Sequence, residues 1–251
     1  VELQRLLGLG FVLLFAALLA GFTFVARRNR ARPRVLRDIE AFRTLSTTVG
    51  QAVETGRRLH ISLGTSAIGE RDTATALAGL TVLDLVSAEA AMSDKPPVIT
   101  TADGAAMLLA QDALHRVYER QNALRRYDPT SARVAGLSAI SFGAALTSMV
   151  QDESVAGTIL IGSAGAAEAI LMTEAGQRSH VATLAGADDP STQALLFVAA
   201  DQPLVGEDVY AGGAYIGRLA HHLGSLQAQD VLRIIIGLAI VAGVVFKSLG
   251  R

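Results

Sequence analysis

The sequence predicts an α/β domain, its mostly parallel sheet covered by helices on both faces, flanked by N- and C-terminal transmembrane helices. Three observations carry that expectation. Hydrophobic residues make up 51% of the 251-residue chain, and the excess is gathered at its two ends. Between the ends, short apolar runs alternate with segments of helical periodicity. Those runs are continuous and not alternating, as in strands buried on both faces.

Leu6 to Ala26 (LLGLGFVLLFAALLAGFTFVA) is 21 residues without a charge. At 1.5 Å per residue it reaches about 30 Å, the thickness of a bilayer's hydrocarbon core, so residues 1–26 read as a transmembrane helix. Arg27, Arg28, Arg30, Arg32, Arg34 and Arg37 follow it, against Arg5 alone before it. Cationic flanks stay on the cytoplasmic side, so the N-terminus is expected outside and the chain from residue 27 inside. A cleaved signal peptide is the competing reading; it would carry its basic residues in front and a small-residue cleavage site behind. The same arginines suit anionic lipid headgroups, at about 1 kcal/mol per cation near the surface. A simple topology signal also accounts for them. The chain opens on Val1 and not on Met, which leaves room for an upstream stretch or for processing.

Residues 27–55 read as a basic juxtamembrane segment with a helix from Val35 to Glu54. Leu36, Ile39, Phe42, Leu45, Val49 and Val53 recur at three- and four-residue steps and form one apolar stripe. From residue 56 to about 220 the pattern is βα. Strands are expected at Leu59–Gly64, Pro97–Thr101, Arg133–Leu137, Gly157–Gly162 and His180–Gly186, with a short apolar run at Pro203–Val205. Helices are expected at Arg71–Met92, Gly104–Arg126, Ser141–Gln151, Ala166–Gly176, Pro190–Ala200 and Glu207–Gly217. In the second of these, Met107, Ala110, Leu114, Val117 and Leu124 share one side, while Arg116, Glu119, Arg120 and Arg125 face away. Short connections of this kind suit βα units. The expected domain, residues 56–220, is Rossmann-like and cytoplasmic.

Residues 221–251 read as a connecting helix and a second transmembrane helix. Ile234 to Phe246 (IIIGLAIVAGVVF) is 13 apolar residues between Arg233 and Lys247. So short a run also suits a buried core helix. Extended from Val231 to Leu249, with both cations snorkelling to the headgroups, it reaches across a thin bilayer. The pairs Ala16–Ala20, Ala17–Gly21 and Ala239–Gly243 have the small-xxx-small spacing that permits close helix contact.

Open α/β sheets bind ligands at the carboxyl ends of their strands. Gly64 and Thr65, Thr101 and Asp103, Gly162, Gly165 and Glu168, and Glu207 stand at those ends and are the candidate ligand-binding residues. GTSAIG from Gly64 to Gly69 has P-loop glycines, but Glu70-Arg71 stands where Lys-Ser/Thr is required, so Walker A is excluded. GSAGAAE from Gly162 to Glu168 lets backbone N–H groups approach an anion at a helix start, although Glu168 supplies a negative charge there itself. Thr101, Asp103, Glu168 and Glu207 are candidates for one carboxylate-lined cleft. Asp103 equally suits a helix cap, and Glu207 a first-turn acid.

Other chemistry is poorly represented. The chain has no cysteine, hence no disulfide or thiolate, and a net charge of −1, with no basic field for nucleic acid. Aromatic residues are 5% and none is Trp, which disfavours base stacking. His60 falls in a strand, His115 in a helix and His180 at a strand start. His221-His222 lacks the further ligands of a metal set. Neither Gly-x-Ser-x-Gly nor His-Glu-x-x-His occurs, no metal or cofactor is implied, and no catalytic residue can be named.

GRRLHISLGTSAIGERDTATALAGLTVLD (Gly56–Asp84) resembles the opening of a family of bacterial membrane proteins, the domain of unknown function DUF6754. SDKPPVIT at Ser93, AQDALHR at Ala110, YDPTSARV at Tyr127 and GSAGAAEAILMTEAG at Gly162 extend the resemblance. GADDP at Gly186, PLVGEDVYAGGAYI at Pro203 and LGSLQAQDVLR at Leu223 carry it to the second span. The resemblance implies a membrane-anchored domain and brings no activity with it.

The expected role is therefore a membrane-anchored scaffold or accessory protein, self-associating or docked on a larger membrane complex, in contact with membrane lipids. The alternative is a ligand-binding or enzymatic domain for a nucleotide or small anion. A lipid-surface sensor built on the arginine cluster is the third reading.

Overall fold

The structure, a computed structural model, describes residues 2–28, 36–91, 93 and 95–249. Arg30, Arg32 and Arg34 of the basic cluster lie outside them. The chain divides into two units, Val1–Arg37 with Gly217–Arg251, and Asp38–Ile216.

The larger unit is built on a six-stranded, wholly parallel sheet. Its strands are β1 (Arg58–Gly64), β2 (Val98–Thr101), β3 (Ala132–Val134), β4 (Val155–Ser163), β5 (Ala182–Gly186) and β6 (Gln202–Leu204), in the order β3-β2-β1-β4-β5-β6. Before them comes α2 (Glu40–Thr55). The connecting helices are α3 (Thr73–Ala90), α4 (Gly104–Arg120), α5 (Ala139–Asp152), α6 (Ala166–Arg178) and α7 (Pro190–Ala199). Parallel crossovers are right-handed. Winding outward from β1 to β3 therefore puts α3 and α4 on one face. The return through α5 to β4 puts α5, α6 and α7 on the other.

Side chains alternate along each strand, and the two faces have separate cores. Leu59 and Leu63 of β1 point toward α2 and α3: the Leu59 side chain lies near the Thr48 methyl, and the Leu63 side chain near Gly79. On the opposite face, Leu160 of β4 and Ala185 of β5 are buried with Phe142 and Leu146 of α5, Met172 of α6 and Leu196 of α7. The apolar stripe predicted for α2 buries Phe42, Leu45 and Val49, and Phe42 stacks on Tyr215 with ring centroids 5.1 Å apart.

Several boundaries differ from expectation for local reasons. The helix predicted to reach Arg126 stops at Arg120, because Asn122 takes a left-handed φ of 54°; Leu124 is left exposed in a short 3-10 turn. His180 does not start a strand. It sits in a turn at φ 51°, and β5 begins at Ala182. The helix predicted for Glu207–Gly217 is a 3-10 turn, Gly206–Tyr210, followed by the single-turn α8 (Gly212–Tyr215), as its low-propensity glycines dictate. Pro203 lies in edge strand β6, where a missing N–H is tolerated.

The smaller unit is a pair of helices, α1 (Glu2–Arg28, 27 residues) and α9 (Ala220–Leu249, 30 residues). The short apolar run near the C-terminus is thus part of one long helix, not an isolated segment. Gly224 of α9 meets the backbone of α1: a Cβ there would stand 2.7 Å from the Thr23 nitrogen. Gln4–Arg28 and Ala220–Ser248 have mean hydropathies of 2.5 and 2.2 and are long and apolar enough to cross a membrane. Their apolar windows are 0% and 6% buried, so the greasy surface faces outward. Thr73–Ala90 also meets the length and hydropathy requirement, but its window is 44% buried against the sheet. It is a core helix.

Candidate functional site

In a doubly wound sheet the strand order reverses once, and loops diverging from the two strands there open a ligand crevice. Here the reversal lies between β1 and β4. Sequence-predicted Gly64 and Thr65 leave β1 at this point, and Gly162 and Gly165 stand where β4 hands over to α6.

These residues are brought together, but they close the crevice. A Cβ on Gly64 would stand 1.9 Å from the Ser163 carbonyl oxygen, and one on Gly162 2.0 Å from that of Leu63. Glycine is needed for two backbones to come so near. The loops are then stitched together. Thr65 N–H donates to the Ser163 carbonyl at 2.7 Å, the Thr65 hydroxyl to the same oxygen at 3.2 Å, and Ser163 N–H to Ser66 Oγ at 2.5 Å. The Thr65 and Ser163 donors are thereby spent between the two loops.

Glu168 occupies the third position of α6 and is only 3% exposed. Its Oε2 lies 2.7 Å from where a Gly165 Cβ would be, and that oxygen has no hydrogen-bond partner among the described residues. No side chain caps α6 at Gly165. A carboxylate folded against the helix start complements the dipole and opposes an incoming anion.

The other candidates lie elsewhere. Thr101 Oγ1 accepts from Asp103 N–H at 3.1 Å, and Asp103 Oδ1 accepts from Ala106 N–H at 2.7 Å, which makes Asp103 the N-cap of α4. Glu207 is exposed in the turn after β6. From β2 to β6 is four strand steps, roughly 19 Å at the usual spacing. The expected convergence of Asp103, Glu168 and Glu207 on one cleft therefore does not occur.

A polar cluster that the sequence reading missed sits next to the seam. Asp188, just past β5, accepts from the Ser163 hydroxyl at 2.9 Å through Oδ1 and from the Thr75 hydroxyl at 3.2 Å through Oδ2. Thr75 has one proton and gives it to Asp188, so the Tyr210 hydroxyl, 3.0 Å away, donates to Thr75. Both carboxylate oxygens are engaged, and among the described residues no imidazole is bonded to the hydroxyls. The cluster ties α3, β4, the residues after β5 and the Tyr210 turn together. The acid pair in GADDP, at a strand's carboxyl end, was the one available signal.

His60 is buried in the middle of β1. Its Nε2 is 2.9 Å from Thr100 Oγ1, while Nδ1 has no partner among the described residues. Burial, reinforced by the nearby Arg133 guanidinium, pushes its pKa down to about 4, so it is a neutral core histidine. The His221 and His222 rings lie 4.3 Å apart at the start of α9. Among the described residues no group of three or more His, Cys, Asp or Glu side chains is placed to hold a metal ion.

The fold and this seam define a doubly wound α/β domain with a closed switch point, in a chain with two apolar terminal helices. The chain belongs to the family described as a domain of unknown function, DUF6754, whose model matches residues 1–251. No curated protein and no solved structure matches it.

Proposed function

We propose that this chain is a membrane-anchored scaffold or accessory protein, one that self-associates or docks on a larger membrane complex. The observation that carries the reading is the pair α1 and α9, packed on each other at Gly224 and Thr23 with apolar surfaces turned outward. Lipid is the natural solvent for that surface. The closed β1/β4 seam supports a role without a bound nucleotide or small anion. The basic residues at the end of α1 and beyond it, Arg27, Arg28 and Arg37 among them, support an orientation with the N-terminus outside and the α/β domain in the cytoplasm.

Mass measurement in mild detergent, corrected for bound detergent and combined with crosslinking in native membranes, tests this directly. A particle of several copies, or one holding a stoichiometric partner, is expected. A lone monomer with no crosslinked neighbour defeats the reading. Protease applied outside intact cells should spare the central domain. Thermal stabilisation by a nucleotide or by inorganic phosphate would revive the ligand-binding alternative.

A further inference from the structure

The outer surface of α5 and α6 departs from what a solvated helix pair shows. Across residues 136–151 and 163–173 the one ionisable side chain is Glu168, and it is buried; charge returns beyond them, at exposed Asp152 on α5 and at the Glu174–Arg178 ion pair in the last turns of α6. What faces outward is Leu137 (86% exposed), Ile140 (72%) and Ile170 (48%), with small Ser141, Ala144 and Ser148 along α5. The two helices pack side by side, the Thr147 hydroxyl of α5 reaching the Leu171 carbonyl of α6 at 3.4 Å. Their exposed residues thus form one patch. Exposed apolar residues are common singly, but an apolar patch cleared of charge is the composition of an interface centre.

We propose that this face pairs two copies of the chain, α5 against α5 about a two-fold axis with the helices antiparallel. The inference deepens the scaffold reading and rests on it. Three features select a second copy as the occupant. A surface without charge meets its own image with no like-charge contact, as a two-fold interface demands. In the antiparallel arrangement the exposed Asp152, at the C-terminal end of α5, comes opposite the positive N-terminal turn of the partner helix. Small residues at the centre of α5 let the helices approach closely. Pairing through the sheet is discouraged at both ends: Gln111 occupies the Ala132 carbonyl of β3 at 3.3 Å, and β6 contains Pro203.

The contact is modest. Two helices of this length offer about 400 Å² per copy, against about 800 Å² in a standard stable interface. Pairing is thus weak in solution and depends on copies sharing one membrane, where effective concentration is high.

The absence of native cysteine makes the test clean. Full-length Ala144→Cys in native membranes, under mild oxidant, is expected to form a disulfide-linked dimer, while Arg116→Cys on α4 stays single. Adding Ile140→Lys and Ile170→Lys to the Ala144→Cys chain should lower the linked fraction about tenfold or more. If the parent is multimeric yet Ala144→Cys does not link, the scaffold reading stands and this interface is wrong. If the parent is a single copy with no partner, both fall. Linkage of the Ala144→Cys chain to a different protein also overturns the two-fold pairing.

Discussion

The two helical layers of the sheet bury similar material and present different surfaces. On one layer α4 shows Asp112, Arg116, Glu119 and Arg120 to solvent; Arg116 pairs with Asp112 at 2.7 Å and Arg120 with Asp84 of α3 at 2.7 Å. On the other, α5 carries no charge before Asp152. Exposed hydrophobic residues alone do not separate the layers, since Leu108 of α4 is 61% exposed and Ile140 of α5 is 72% exposed. Surroundings do. Leu108 has the exposed, ion-paired Asp112 one helical turn away, whereas along α5 the first charge after Ile140 is Asp152 at the far end of the helix. The layer whose hydration is dispensable is the one suited to contact.

The largest effect is expected where the two layers meet, at the seam. Gly162→Ala drives a methyl to 2.0 Å from the Leu63 carbonyl, with backbone on both sides and nothing able to yield. Destabilisation on the order of 4 kcal/mol is expected, read by urea unfolding of the full-length protein under circular dichroism. A variant within about 1 kcal/mol of the parent would show that the strands are not in contact there.

Next comes acid sensitivity under the uncharged layer. The His60 pKa is lowered from 6.5 to about 4 in the folded chain. Between those values the unfolded chain binds a proton that the folded one refuses. Stability is therefore full above pH 6.5, falls as pH drops toward 4, and levels off below. The total loss is about 3 kcal/mol. Carboxylates titrate as well, so the informative quantity is the difference from His60→Gln. Identical acid dependence in the two proteins removes His60 from the account.

The contrast between layers was only partly legible in the sequence. The mostly parallel sheet, though not its strand order, follows from apolar runs such as Leu59–Gly64 and Gly157–Gly162 alternating with helices, because burial on both faces leaves a direct mark in composition. The apolar stripe of α2 was equally plain. The seam was not, since Gly64 and Gly162 read locally as ligand-loop glycines and only pairing of β1 with β4 reveals them as spacers. The cluster of Thr75, Ser163, Asp188 and Tyr210 was illegible for a related reason: its members are far apart in the chain and each is ordinary alone. Leu124 reads as a continuation of the apolar side of α4 because periodicity cannot see the left-handed turn at Asn122 that ends the helix first.

Smaller effects compare the helix starts. Asp103 caps α4, and Ser138 caps α5 in a reciprocal box with Ser141. Asp103→Ala and Ser138→Ala should each cost about 1 kcal/mol. Neither change should alter particle mass, because a cap acts within its own helix. A Ser138→Ala chain that dissociates at unchanged stability would mean that the start of α5 lies inside the contact itself.

The smallest effect on stability should be the most telling for assembly. Leu108→Lys and Ile140→Lys each put a cation at a position more than half exposed. Neither buries a charge within the single chain, so both should unfold within about 0.5 kcal/mol of the parent. On α4 the new lysine joins a surface already hydrated and charged, and particle mass in mild detergent should not change. On α5 it replaces an apolar side chain of the proposed contact with a hydrated cation; the partner's Asp152 opposite it returns less than the lost apolar burial, and the particle should shift toward single copies. Equal behaviour of the two variants would erase the distinction between layers. A response confined to Leu108→Lys would reverse it, moving the contact surface to α4.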